Sequence, residues 1–443
     1  MRFTPRPYQM DCIVSGVSFF RNERMSKPKI IVAPTAAGKS IIIAEIAARL
    51  DGRVLVLQPS VELLKQNFEK YLLYDLDVSV YSASMKSARL ARVTFATIGS
   101  IVNVAQIFRD YKYLIIDEAH LYPPSAESMF GKFLTINPQL KVLGLTATPF
   151  RLFNQFDGAK LVMMHNRNIY NGYSHIVQIQ DIAPNFWSPL EYIESSGDLS
   201  LLRSKDTGAE WSDDSLKLYF RTIESQVIHC AKHYEDLNRL IFVPTVEMAQ
   251  KLSDMRRGSA VVSAKTKPAD RFKIIKDFKA GIIREVYNVN VLSVGFDHPM
   301  LQCIIDGVPT MSLARDYQKK GRGTRQHPNK EKTIIVDLAG NTSKFGKIED
   351  LELRQTGQAW NVFTGDKQLT NVNLKYLGYG KPAVKKEAVF TDMAIDFGKF
   401  AGSKISEVPD GWLSWAADNL NNRKDLVDNI KLYFQRKNQR NGS

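Results

Sequence analysis

Short apolar runs recur along the chain, and each closes on a turn or a polar residue. Between residues 28 and 150 they read KIIVAPT, RVLVLQP, VSVYSAS, RVTFATI, YLIIDEAH and VLGLTATP. Amphipathic stretches such as 40–50 and 61–74 separate them. Continuous apolar runs alternating with helical periodicity predict a parallel sheet covered on both faces. Such sheets bind ligands at the carboxyl ends of their strands, and the polar clusters of this chain fall at those ends. Residues 151–235 break the pattern. They are rich in Asn, Tyr and Ser with weak periodicity, and are expected to be a connector with some strand and helix. Alternation resumes at RLIFVPT and continues through AVVSAK, EVYNVNVLSVG, CIIDGVPT and TIIVDLAG. The expected fold class is α/β, with two parallel-sheet domains in tandem and a small C-terminal domain. The expected boundaries are 1–150, a connector over 151–235, 236–345, a glycine-punctuated linker or extension over 346–389, and a compact unit with a basic tail over 390–443.

A length of 443 residues exceeds one ordinary core. The chain is 44% hydrophobic and 24% charged, the balance of a soluble globular protein. Its net charge of +14 suits a polyanionic partner such as nucleic acid, although a merely basic protein would look the same. The basic residues are spread out, with denser runs at 319–325 and 436–440. Cys12, Cys230 and Cys303 lie far apart, which argues against a disulfide framework and a zinc site. The N-terminal stretch has no apolar core of a signal peptide, and no run is apolar for about 18 residues. No membrane partner and a cytoplasmic location are therefore expected.

Candidate chemistry begins at APTAAGKS, residues 33–40, which follows one predicted strand and opens a predicted helix. That is the context of a phosphate-binding loop, and an ordinary strand–turn–helix is the alternative. Ala33, Ala36 and Ala37 sit where such loops often carry glycine. Lys39 would place its charge on the β- and γ-phosphates, and the Ser40 hydroxyl would ligate Mg²⁺. In YLIIDEAH, apolar residues deliver two carboxylates to a strand end. Asp117 could hold Mg²⁺ through water, and Glu118 could orient and deprotonate an attacking water. Burying both without a cation is costly, which speaks against a purely structural role. His120 is expected to face the gap between domains. In GLTATPFR, Thr146 and Thr148 suit a hydrogen-bond relay. In YQKKGRGTR, Arg322 and Arg325 are expected one helical turn apart on one face. There they could reach a γ-phosphate, bind nucleic-acid phosphates or form a solvated basic face. NVLSVGFDHP adds Gly295 and Asp297 at a further strand end.

In order, the chain shows RPYQ, APTAAGKS, LQPSVELLKQ, TFATIGSI, DEAH, TATP, IFVPTVEMA, NVLSVGFDHP and QKKGRGTR. Over about residues 3–340 this resembles the superfamily 2 helicases of the DEAH-box type, most of all the bacteriophage branch-migration helicases. The segment 336–346 looks like the one after the last motif in bacterial helicase-like repair ATPases. The resemblance implies RecA-like domains and the cofactors ATP and Mg²⁺. Its catalytic set maps to Lys39, Asp117, Glu118, Gln318, Arg322 and Arg325, with Ser40 and Asp117 on the metal. Its nucleotide set maps to Arg6, Gln9 on the adenine edge, Thr35, Gly38, Lys39, Ser40, Gly295 and Asp297. Coupling maps to His120, Thr146 and Thr148. Nucleic-acid contact maps to Pro59, Ser60, Gln66, Thr97, Gly99, Ser100, Thr245 and Asn290, which can bond phosphates without reading bases.

The implied activity is ATP-driven remodelling of single-stranded, forked or branched DNA by a monomer, in replication, recombination or repair. An RNA-remodelling ATPase and a duplex translocase that does not separate strands are the alternatives. Two departures stand out. Ala36 replaces Gly, which is tolerated wherever its φ stays negative. Asn290 stands where Thr is common. Residues 396–420 resemble a small module at the ends of some exonucleases, with Phe397, Trp412 and Trp415 expected in its core. Lys399, Lys404 and the tail from residue 436 lead to the expectation that this module grips DNA.

Overall fold

The computed structural model describes residues 3–74, 77–122, 125–155, 158–164, 170–205, 210–292, 298–374, 392–420 and 423–441. The chain divides into two compact units, Met1–Pro382 and Ala383–Ser443.

The apolar runs of the first half become β1 (Lys29–Val32), β2 (Val54–Leu57), β3 (Val78–Ser82), β4 (Ser87–Ala88), β5 (Val93–Ala96), β6 (Tyr113–Ile116) and β7 (Lys141–Thr146). A hairpin of β8 (Phe150–Gln155) and β9 (Gly158–Met163) follows, and β10 (Tyr173–Ile176) returns to the sheet. The eight-stranded order is β10-β1-β7-β6-β2-β5-β3-β4. Every pairing is parallel except the terminal β3–β4 one. All residues of β2 and β5 are buried, as a strand covered on both faces requires. The helices of this lobe are α1 (Pro7–Arg21), α2 (Lys39–Ala48), α3 (Val61–Tyr71), α4 (Ile98–Ile101) and α5 (Met129–Ile136).

The second sheet contains β11 (Leu190–Glu194), β12 (Arg239–Phe242), β13 (Ala260–Val262), β14 (Glu285–Asn288), β15 (Cys303–Asp306) and β16 (Thr333–Asp337). Its order is β11-β16-β15-β12-β14-β13, and all pairings are parallel. The further helices of this unit are α6 (Ile179–Phe186), α7 (Asp213–His233), α8 (Val246–Asp254), α9 (Pro268–Lys279), α10 (Leu313–Lys320) and α11 (Asn341–Phe345). A small antiparallel sheet of β17 (Leu351–Thr356), β18 (Ala359–Thr364) and β19 (Lys367–Gln368) occupies part of the stretch expected to be linker. Residues 375–391 lie outside the described residues.

The segment 151–235 is more than a connector, because it supplies an edge strand to each sheet: β10 to the first and β11 to the second. Both strands are largely half-buried or exposed, so neither carries the apolar run that marks a central strand. Among the described residues no helix is long and apolar enough to cross a membrane.

The basic run at 319–325 also differs from a surface patch. Lys319 and Lys320 are buried. Lys319 Nζ donates to Asp306 Oδ2 at 2.5 Å. Lys320 Nζ donates to Asp316 at 2.9 Å and to Thr342 Oγ1 at 2.8 Å, and lies 3.4 Å from Asp337. Asn341 Nδ2 donates to Asp306 Oδ2 at 3.0 Å. Two ammoniums thus serve three carboxylates, and burial pushes Asp316 up to about 6 against the pull of Lys320 and Lys319.

The C-terminal unit packs α12 (Asp410–Asn419) and α13 (Lys424–Asn441) around Ile395, Ile405, Val408, Leu413, Ala416, Leu426 and Ile430. Phe397 and Trp412 lean on this core, but Trp415 is 51% exposed and does not join it. Leu413 and Ala416 face inward, and residues 412 and 415 fall about 100° away around the helix. Between 392 and 443, eight Lys and Arg are set against seven Asp and Glu, so net charge gives this unit little pull on phosphates.

Removing one partner of a buried ion pair strands the other charge, at about 3–5 kcal/mol. Lys319→Met is expected to lower stability by that amount in urea unfolding of the full chain. A loss below about 1 kcal/mol would show that the Asp306 pair does not hold α10 in place.

Candidate active site

The phosphate loop runs from the end of β1 to α2, which opens at Gly38 with φ +76°. A Cβ on Gly38 would stand 2.5 Å from Gln9 Nε2, so glycine is needed for space as well as for conformation. Ala36 does not keep the negative φ expected of it. Its φ is +59°, a left-handed conformation that costs an L-residue about 1–2 kcal/mol. The loop is braced from below: Ala37 O accepts from Gln9 Nε2 at 2.7 Å and from Tyr8 Oη at 3.3 Å. Gln9 Oε1 accepts from Arg6 N–H at 2.8 Å. Gln9 is 3% exposed, and both ends of its amide are engaged within the chain.

The apolar strand β6 delivers the acid pair. Asp117 Oδ1 accepts from Glu118 N–H at 2.9 Å, and its Oδ2 accepts from Asn67 Nδ2 at 3.3 Å. Glu118 has φ +48° and meets Lys39 Nζ at 3.1 Å. Burial, then the neighbouring Glu118 charge, pushes Asp117 up to about 7. Burial would raise Glu118 as well, but the neighbouring positive groups, Lys39 first and Arg322 among them, together outweigh it and hold this carboxyl below its ordinary value.

His120 bridges the lobes. Its Nδ1 lies 2.9 Å from Thr146 Oγ1 and 3.4 Å from Glu118 Oε2, and its Nε2 lies 2.9 Å from Gln318 Nε2. Burial pulls its pKa down to about 4, so the ring is neutral at pH 7. With the Gln318 amide donating to Nε2, the ring proton sits on Nδ1 and is donated to Thr146. Thr146 Oγ1 also accepts from Thr148 N–H at 3.0 Å. Thr148 Oγ1 is buried without a hydrogen-bond partner, a departure from the rule for buried hydroxyls.

Arg322 and Arg325 do not share a helical face. Helix α10 ends at Lys320, and the two arginines occupy and follow the turn beyond it. Glycines flank Arg322 on both sides, and Thr324 Oγ1 donates to Gly321 O at 2.9 Å, which closes the turn. Both arginines nevertheless line one cavity of about 360 Å³ with Gln318, Arg6, Thr35, Gly38, Lys39, Ser40, Asp117 and Glu118. Gly295 and Asp297 lie outside the described residues.

The candidate nucleic-acid positions, apart from Gln66, come soon after strand ends. Pro59 and Ser60 come after β2, Thr97, Gly99 and Ser100 after β5, Thr245 after β12, and Asn290 after β14. Ser60 Oγ accepts from Leu63 N–H at 3.2 Å, and Thr245 Oγ1 accepts from Met248 N–H at 3.2 Å, so both cap helices. Thr97 Oγ1 and Ser100 Oγ are 3.0 Å apart. Gly99 is exposed, with open space where a Cβ would go. Asn290 has φ +57°, which explains its identity: asparagine tolerates the left-handed region and a β-branched threonine does not. Gln66 lies on α3.

Several residues lining or bracing the cavity have no motif to announce them. Phe186 ends α6, with the Arg6 guanidinium 4.2 Å from its ring centre and Tyr8 at 5.3 Å. Lys70 Nζ donates to Ser40 Oγ at 3.2 Å. Asn67 and Lys70 are one turn apart on α3, a pattern visible in VELLKQNFEK. The adjacent aromatics Phe186 and Trp187, in an otherwise polar stretch, were the other available signal.

Residues 2–151 match the family described as Type III restriction enzyme, res subunit, and residues 222–327 match the Helicase conserved C-terminal domain. A 51.5 kDa protein of Lactococcus phage (isolate 7-9) is 26% identical over 328 residues, which is 72% of this chain and 67% of the phage protein. The DNA 3'-5' translocase XPB2 of Sulfurisphaera tokodaii is 23% identical over 380 residues, 77% of this chain and 82% of its own. The Type ISP restriction-modification enzyme LlaBIII, solved bound to DNA, superposes with a TM-score of 0.56 at 15% identity. That match covers 76% of this chain and only 28% of the larger enzyme. The two parallel sheets are tandem RecA-like domains. The chain thus carries, in order, the two conserved domains of superfamily 2 helicase-type ATPases.

In this chain the hydroxyl of Ser40 and the carboxylate of Asp117 face one cavity. They form a hard oxygen pair of the kind Mg²⁺ takes, with phosphate and water completing its shell. The raised pKa of Asp117 fits such a site, because a buried acid short of positive charge gains from a cation.

Ala36→Gly is expected to relieve the left-handed strain and raise stability by about 0.5–1 kcal/mol, after subtracting the extra freedom glycine gives the unfolded chain. Thermal unfolding measures this. An unchanged or lower Tm would mean the loop is not strained at this residue.

Proposed function

We propose that the chain is an ATP-driven motor on DNA, of the DEAH-box type, that remodels forked or branched substrates. The observation that carries this reading is the single cavity lined from both lobes. Lys39, Ser40, Asp117 and Glu118 stand on one wall, and Gln318, Arg322 and Arg325 on the other. ATP entering this cavity draws Lys39 from Glu118 onto its phosphates. Glu118, kept ionised, then accepts the proton of the attacking water. Arg322 and Arg325 meet the charge that develops on the γ-phosphoryl group. Ser40 and Asp117 would hold Mg²⁺, which supplies positive charge at the β- and γ-phosphates. Neutral His120 relays the state of the acid pair to Gln318. The lobes close on ATP and part after hydrolysis, and each cycle shifts the contacts at Ser60, Thr97, Ser100, Thr245 and Asn290 along a strand.

Adenine fits against the Arg6–Phe186 pair, where a guanidinium and an aromatic ring offer stacking faces. The net charge of +14 and the small polar residues at strand ends support backbone tracking without base readout. The archaeal relative is named a DNA translocase, and the restriction enzyme was solved on DNA. The phage relative supports a setting in phage replication, recombination or repair. The enzyme would work as a monomer in the cytoplasm.

Glu118→Gln is expected to retain ATP binding while turnover falls at least about 1,000-fold. Comparable hydrolysis by variant and wild type would remove Glu118 from the role of base. ATPase stimulation should be greatest with forked or branched DNA, and stimulation by RNA alone would favour the RNA-remodelling alternative. Phe186→Ala should raise KM for ATP about tenfold with little change in kcat, given about 1–3 kcal/mol for base stacking on an aromatic ring. An unaltered KM would place the base elsewhere.

A further inference from the structure

The phosphate loop is also gripped from outside its own lobe, at a residue whose neighbours no motif explains. Thr35 N–H lies 3.1 Å from Tyr317 Oη, and Thr35 Oγ1 lies 3.3 Å from the same atom. Trp187 Nε1 donates to Thr35 O at 3.0 Å. Both backbone polar groups of Thr35 are therefore satisfied by side chains that belong to neither β1 nor α2. The fit is close: a Cβ on Gly321 would stand 2.8 Å from Thr35 Oγ1. Tyr317 is 2% exposed, and burial pushes its hydroxyl up to about 12, so it stays protonated at neutral pH.

Tyr317 immediately precedes Gln318, which bonds His120. Helix α10 thus touches the first lobe at two separate places, the phosphate loop and the acid-pair turn. One contact would leave the helix free to pivot, and two fix its rotation. The turn carrying Arg322 begins where this helix ends. We propose that Tyr317 is a positioning residue that ties the phosphate loop to the arginine turn, so that the loop sets where Arg322 and Arg325 stand over the γ-phosphoryl group. This rests on the ATPase reading given above.

Its effect should fall on turnover more than on nucleotide binding, because the Tyr317 hydroxyl bonds Thr35, upstream of the Gly38, Lys39 and Ser40 groups at the head of α2. Tyr317→Phe removes one oxygen, keeps the ring and leaves the half-buried N–H of Thr35 without this partner. Steady-state ATPase at saturating single-stranded DNA, binding of a fluorescent ATP analogue and thermal unfolding are measured for wild type, Tyr317→Phe and Lys39→Ala. Lys39→Ala tests the ATPase reading by itself: hydrolysis at the wild-type rate would overturn that reading, whatever Tyr317 does. With Lys39→Ala inactive, Tyr317→Phe is expected to lower kcat about tenfold, with analogue affinity within about threefold of wild type and Tm within about 3 °C. An unchanged kcat would overturn the proposal. So would a kcat loss matched by an equal loss of affinity, or by a larger fall in Tm, since either would mark the hydroxyl as merely structural.

Discussion

Two adjacent carboxylates buried at the end of β6, with one ammonium against them, set the terms for the rest of the molecule. Asp117 and Glu118 cannot both be comfortably ionised there, and Lys39 pairs directly with Glu118 while pulling on Asp117 only from a distance. Asp117 bears the deficit and titrates near 7. The acid pair is therefore short of a second close cation before any ligand arrives, although Arg6, Lys70, Arg322 and Arg325 line the same cavity. A polyphosphate that takes Lys39 away deepens the shortage, because Glu118 then loses its nearest cation. The second lobe holds the remedy, since Arg322 already contributes to stabilising the Glu118 charge. Binding on one lobe thus creates a demand that the arginines of the other can meet, which is a physical reason for closure to follow nucleotide entry.

That remedy works only if the arginines arrive in a fixed place. Helix α10 is held from behind by buried charge and from in front by the first lobe. Lys319 and Lys320 tie it to Asp306 and Asp337 at the ends of β15 and β16, and to Thr342 on α11. Tyr317 and Gln318 tie it to Thr35 and His120. A helix fixed on both sides transmits a displacement instead of absorbing it. The two lysines are therefore poor candidates for nucleic-acid contact, although in the sequence they make up the denser part of a basic run.

Apolar periodicity was enough to reveal both sheets, because central parallel strands are buried on both faces and write themselves as continuous runs. Strands β10 and β11 were not legible for the same physical reason, as edge strands have no second buried face to demand such a run. The acid pair, the loop lysine and the arginines carry local spacing that sequence displays directly. The turn holding Arg322 was misplaced onto a helix, because (i, i+3) spacing does not reveal that flanking glycines end the helix first. Phe186, Trp187 and Tyr317 act through contacts between residues far apart in sequence, and such contacts have no period to read. Trp415 shows the opposite error. Its spacing from Trp412 was right for a shared face, but Leu413 and Ala416 had already claimed the inward direction.

Backbone conformation links these observations. Among the described residues, five that are not glycine have positive φ: Ala36, Lys86, Glu118, Asn290 and Asn371. Three of the five lie in the phosphate loop, at the acid pair and after β14, all at carboxyl ends of parallel strands. A left-handed residue there turns the chain sharply, so that the group beside it leaves the sheet edge and enters the cleft. At Glu118 the turn brings the carboxylate to Lys39, and at Asn290 it exposes the amide beyond the strand. Such strain persists only where the surroundings over-determine it. Here the surroundings are the bonds from Gln9 to Ala37, from Lys39 to Glu118 and from Tyr317 to Thr35. The alanines that make the loop look degraded in sequence are thus compatible with its geometry. The conformation glycine would adopt freely is imposed on Ala36 by neighbours on both lobes, which makes the shape of the loop depend on how the lobes meet.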